Sequence, residues 1–197
     1  MKQTLLAYAP CLTTSQILGL SQKAKAEDIQ TLYFQEIAVS RLPKEERSGM
    51  LASLPFAGLM SEQLSYMLGR AMALECSHFT FALPAGYVRD GRFEELEQLL
   101  FSLKKKARLI LVPTIVLAEL SHDRLKQIIS LCLKLELHNL CLGTGTVLDE
   151  VTQAHGETAL NLYDKAGIAS TTLEIACSIP DCAPFATHRI CLSQIDQ

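Results

Sequence analysis

The stretch from Arg108 to Thr146 constrains this chain most, because it reads as a complete strand, helix and strand. Leu109, Ile110, Leu111 and Val112 form a short apolar run that Pro113 stops, which suits a strand buried on both faces. Ser121 can cap a helix. Leu125, Ile128, Ile129, Cys132 and Leu135 then fall on one stripe at the helical period. His138 to Leu142 returns as a second strand and ends in the turn Gly143-Thr144-Gly145-Thr146. Parallel strands need a crossover of this kind, so repetition of the unit decides the architecture.

The unit does repeat. Strands are expected at Gln3–Tyr8, Thr31–Glu36, Met50–Leu54 and His78–Leu83. Thr13 or Thr14 opens a first helix, and Ser61 opens one that carries Leu64, Met67, Leu68, Ala71 and Met72 on one face. A helix from about Arg92 buries Phe93, Leu96, Leu100 and Leu103. It ends in Lys104, Lys105 and Lys106, where cations suit the negative end of the helix dipole. Downstream, the pattern predicts a short helix over Val147–Ala154 and a seventh strand over Thr158–Tyr163. A helix over Ser170–Ser178 and an eighth strand over His188–Leu192 follow. Eight strands alternating with helices fit a compact (β/α)8 TIM barrel with trimmed loops, since about 250 residues is usual for that fold. The 197 residues are expected to form one barrel domain, 1–197. An open doubly wound parallel sheet is the alternative, but no glycine-rich phosphate loop follows the first strand.

A net charge of −3 with both signs scattered argues against a nucleic-acid or membrane surface. The apolar run Leu109–Ala118 is too short to span a bilayer and contains a proline. The amino end lacks the apolar core of a secretory signal. Seven cysteines without CxxC spacing read as reduced, mostly buried thiols of a cytoplasmic protein. Cys177, Cys182 and His188 lack the second close pair that a zinc site needs, so neither metal nor cofactor is expected.

In a barrel, reactive groups stand at the carboxyl ends of the strands. Gly143, Thr144, Gly145 and Thr146 combine flexible backbone and hydroxyls ahead of a helix, a pattern suited to phosphate or carboxylate. The turn Lys165-Ala166-Gly167-Ile168 adds a cation, and Ser193 ends the eighth strand. Of ten lysines, only Lys165 is expected just beyond a strand's carboxyl end, so it is the candidate amine nucleophile. Glu36 is read as a solvent-facing acid without a partner.

Several segments resemble the deoxyribose-phosphate aldolase family. ALPAGYVRDGRFEELEQLL is similar to that family's strand end, Gly-Ala-Leu-Lys-like turn and helix. ARLILVPTIVLAELSHDRLKQIISLCLKLELHNLCLGTG parallels its Lys-Val-Ile-Leu-Glu-Thr-like strand, helix and Val-Lys-Thr-Ser-Thr-Gly-like strand end. LPFAGLMSEQ, DKAGI and ATHRICLS resemble further turns and strands, so the framework similarity spans most of the chain. The resemblance implies a (β/α)8 class I aldolase with a Schiff-base lysine, a second lysine that lowers its pKa, and an aspartate that moves protons. Matched residue by residue, these places fall on Cys141, Tyr163 and Thr80 respectively. None of the three supplies the required chemistry. The expectation is therefore an aldolase-like barrel without Schiff-base activity that keeps a site for a small phosphorylated or carboxylated molecule. Gly143–Thr146, Gly167 and Ser193 would line that site. In a variant of this reading the chain is a homo-oligomeric interaction module. The alternative is an active sugar-phosphate lyase using Lys165.

Overall fold

A computed structural model describes residues 2–7, 12–54, 57–145, 149, 151–177 and 187–192. The strands are β1 (Lys2–Ala7), β2 (Thr31–Phe34), β3 (Gly49–Ala52) and β4 (His78–Ala82), then β5 (Ile110–Ile115), β6 (Leu140–Leu142), β7 (Leu173–Cys177) and β8 (Thr187–Leu192). They pair in chain order and close into a barrel. Closure is parallel, with Lys2 beside Thr187 and Ala7 beside Leu192. Every strand pair is parallel, so all carboxyl ends open on one face. The (β/α)8 expectation holds, and the open sheet is excluded.

The helices are α1 (Thr14–Ala26), α2 (Glu36–Val39), α3 (Ser61–Ala73) and α4 (Ala85–Asp90), then α5 (Phe93–Lys106), α6 (His122–Lys134) and α7 (Gln153–Lys165). Thr13 and Ser121 cap α1 and α6 through their hydroxyls, as their positions predict. Leu125, Ile128, Ile129 and Cys132 form the buried stripe of α6. β5 runs through Pro113 to Ile115, because the proline removes only a donor. The carbonyls beyond it stay in use: Thr114 accepts from Leu83 N–H and Ile115 from Gly143 N–H.

One stretch departs from the sequence reading. Thr158–Tyr163 is not the seventh strand but the second half of α7, and β7 follows where a helix over 170–178 was expected. Thr152 caps α7 by accepting His155 N–H, and Gly156, Ala159 and Tyr163 share its buried face. Leu160 and Leu162 mimic strand alternation, yet both are only half-buried against the core. The expected helix over 147–154 begins in residues outside those described, which include 146–148 and 150.

Two layers of core result. The larger lies between the sheet and the helices and includes Ile17, Leu64, Leu100 and Ile128. Inside the barrel, Leu6, Tyr33, Leu51 and Ala82 form one cluster, and Val112, Cys141 and Ala176 another. Gly49 makes room for the Tyr33 ring, since a Cβ there would lie 2.8 Å from Tyr33 Cε1.

Candidate functional site at the carboxyl-end mouth

Polar groups line the barrel interior on several strands, and they bond to one another. On β4, the Thr80 hydroxyl donates to the Val112 carbonyl at 3.0 Å and lies 3.2 Å from Thr114 Oγ1. Thr114, Cys141 and Glu174 are successive register partners across β5, β6 and β7. Glu174 accepts from the Thr4 hydroxyl at 3.2 Å, a bond that crosses the interior past the intervening β8. Cys141 is wholly buried, its Sγ 3.8 Å from the Leu142 carbonyl oxygen. These groups are buried and hydrogen-bonded, as interior polar groups must be.

Thr80 and Cys141 thus occupy interior places on β4 and β6. Tyr163 does not join them. It sits on α7 outside the barrel, with its hydroxyl donating to the His138 carbonyl at 2.7 Å. Burial pushes its phenol above the usual range. The interior residues of β7 are Glu174 and Ala176. Lys165 is corrected in the same way: it lies in the last turn of α7, at the amino-end face opposite the mouth. Gly167, with φ +68°, is the left-handed residue that stops this helix, its N–H donating to the Asp164 carbonyl. It too is remote from the mouth. Ser193 and Thr146 lie outside the described residues.

Gly143, Thr144 and Gly145 do follow β6 at the mouth, and both glycines have positive φ. The anion that this turn accommodates is the protein's own. Asp149 Oδ2 accepts Thr144 N–H at 2.6 Å, while Oδ1 accepts Leu117 N–H at 2.6 Å and Ala118 N–H at 2.7 Å. A Cβ at Gly143 would meet Val151 Cγ2 at 2.7 Å, so the turn is closely packed as well. Asp149 escaped the sequence reading. Its signal was a lone acid a few residues beyond a turn of anion-binding type.

Two histidines stand at the first turns of α6 and α7, on the mouth side. Their rings stack with centroids 6.0 Å apart, and His122 Nε2 lies 2.6 Å from Thr158 Oγ1. Burial, and then His122, holds His155 below the usual imidazole range, with Asp149 opposing. Among the described residues, no group of three or more His, Cys, Asp or Glu could hold a metal ion. No described helix is long and apolar enough to cross a membrane.

Glu36 is not an unpartnered surface acid. Arg70 Nε donates to Glu36 Oε1 at 2.6 Å. The pair lines a cavity of about 490 Å³ against the carboxyl ends of β2 and β3.

No protein-family model matches the chain, and no curated protein matches it in sequence. Solved structures do match in shape. A putative deoxyribose-phosphate aldolase from Coccidioides immitis superposes with a TM-score of 0.75 at 16% identity, over 88% of this chain and 69% of that one. One from Toxoplasma gondii ME49 gives 0.74 at 13% identity, over 95% and 87%. A tetrameric deoxyribose phosphate aldolase from Aeropyrum pernix gives 0.71 at 10% identity, over 90% and 76%. The fold is that of the deoxyribose-phosphate aldolases. In this chain the barrel interior carries Thr80 on β4, Cys141 on β6 and the Glu174 carboxylate on β7.

Proposed function

We propose that this aldolase-fold barrel works without Schiff-base chemistry and holds a small carboxylated or phosphorylated molecule non-covalently. One observation carries the reading: where the lysines are. Lys2 is the first residue of β1, at the strand's amino end, and Lys44 lies in a 3-10 turn. The other eight lie on α1, α5, α6 and α7. The residues that follow the described strands contain no lysine in sequence, nor do 178–186 and 193–197. An iminium needs an amine that attacks the substrate carbonyl with loss of water, and among the described residues no lysine lies at a strand's carboxyl end.

Incubation with deoxyribose 5-phosphate or acetaldehyde, followed by borohydride and intact-mass measurement, tests this. No adduct is expected. An adduct that disappears in Lys165→Ala would restore the lyase reading and overturn this one.

Self-association belongs to the same reading. The Aeropyrum pernix protein is described as tetrameric, and here Phe101 of α5 is 58% exposed. Glu94, Gln98, Phe101 and Lys105 recur at helical spacing along the exposed stripe of α5. The first turn is acidic and the last is basic. A second copy laid antiparallel across Phe101 would set opposite charges together.

A further inference from the structure

The Glu36–Arg70 cavity exists because α2 is short. A single turn of four residues spans about 6 Å, against about 20 Å for the thirteen residues of α3. So short a helix leaves space between α2 and α3, against β2 and β3. Ile37, Ala52, Leu54 and Met67 line its apolar side, and Gln35, Glu36 and Arg70 its polar wall. Its volume of about 490 Å³ lies in the range of small-molecule sites.

The ion pair uses only part of its capacity. Arg70 spends Nε on Glu36 Oε1. Among the described residues, the Arg70 Nη groups, Glu36 Oε2 and the Gln35 carboxamide have no hydrogen-bond partner. The side chains are 42% and 28% exposed, and a pair so placed adds little to stability. The wall therefore presents a two-donor fork beside an open carboxylate lone pair. Its net charge is zero, which does not favour a phosphate dianion. A ligand with a carboxylate for the fork and a cationic donor for Glu36 satisfies both sides.

We infer that this cavity is a binding site for a free amino acid with an apolar side chain. The carboxylate takes the Arg70 Nη groups, the ammonium donates to Glu36 Oε2, and the side chain rests on Ile37, Leu54 and Met67. The inference rests on the non-covalent reading above and names its ligand class.

The test titrates the full chain with L-alanine, L-valine, L-leucine, L-methionine and L-phenylalanine, following melting temperature and binding heat. 4-Methylpentanoate, isoamylamine and inorganic phosphate serve as single-charge probes. At least one amino acid should raise the melting temperature, by an amount that grows with its concentration. Each single-charge probe should do so less. Arg70→Gln and Glu36→Gln should each weaken binding about tenfold or more, because each deletes a charge-assisted bond. Both variants should melt near the parent in the absence of ligand. The inference is overturned if no amino acid binds, if binding survives both variants, or if phosphate binds as well as the amino acid. A borohydride adduct would overturn the non-covalent reading alone. Loss of the titration response without an adduct would overturn the cavity alone.

Discussion

The carboxylate of Asp149 joins Thr144 to Leu117, accepting the N–H of the first at 2.6 Å through Oδ2 and that of the second at 2.6 Å through Oδ1. It ties the loops after β5 and β6 from a site that is 3% exposed. Asp149→Ala orphans buried donors, each worth about 1–3 kcal/mol. The losses do not add fully, so about 3 kcal/mol is expected, or a fall of about 6–12 °C in melting temperature at this chain length. The same deletion empties an anion-shaped cradle. Inorganic phosphate should then raise the melting temperature of Asp149→Ala and leave the parent unchanged. Equal responses in both proteins would sink the assignment.

What could be read in the sequence follows from how local each signal is. α6 declares itself through the Ser121 cap and a stripe from Leu125 to Cys132, all within a dozen residues. β7 was missed because strand alternation and the helical period agree over a segment as short as Thr158–Tyr163. The capping contact that decides between them sits upstream, at Thr152. That error placed Lys165 at the wrong end of the barrel and Tyr163 on the wrong element. α2 is too short to show a period. The Asp149–Leu117 and Glu36–Arg70 contacts join residues more than thirty positions apart, where no pattern reaches. The framework was legible because periodicity is local, whereas the site depends on contacts that only closure creates.

His155 makes stability pH-dependent in a definite direction. Its folded pKa lies below the unfolded value, first through burial and then through His122, with Asp149 opposing. The unfolded state therefore binds more protons on acidification, so stability is full above the unfolded pKa and falls as pH drops below it. Protonation also removes the Nδ1 acceptor of Thr152 N–H, held at 3.3 Å. Melting curves between about pH 7.5 and 5, below and above the ordinary imidazole pKa near 6.5, should slope more steeply for the parent than for His155→Gln. Parallel slopes would remove His155 from the account.

Cys141 behaves as interior packing, and thiol chemistry can show it. Cys76, Cys132 and Cys141 are free and buried. Burial pushes the Cys76 thiol up to about 11 and the Cys132 thiol up to about 12, so neither is a thiolate near neutral pH. Cys141 is 0% exposed in a cluster with Val112 and Ala176. Iodoacetamide at neutral pH should spare all three in the native protein and modify them once it is unfolded in denaturant, as read by peptide mass. Rapid native alkylation of Cys141 would make it a nucleophile and reopen the interior as a catalytic site.

Phe101 tests self-association. It is 58% exposed, on the stripe that runs from Glu94 to Lys105. An antiparallel copy centred on Phe101 sets Glu97 opposite the second copy's Lys105 and Gln98 opposite its Lys104. Both contacts recur by symmetry, which is what a two-fold interface requires. Glu97 and Lys104 already pair with Lys134 and Glu136 on their own chain, at 2.7 and 2.5 Å. Charge alone is therefore a weak drive, and the aromatic ring must supply the anchor. Light scattering over a range of concentrations should show association in the parent. Phe101→Lys should shift it to the monomer without lowering the melting temperature of the dilute protein, because the ring is mostly outside the core. A parent that stays monomeric, or a variant that associates equally well, would exclude α5 as the contact.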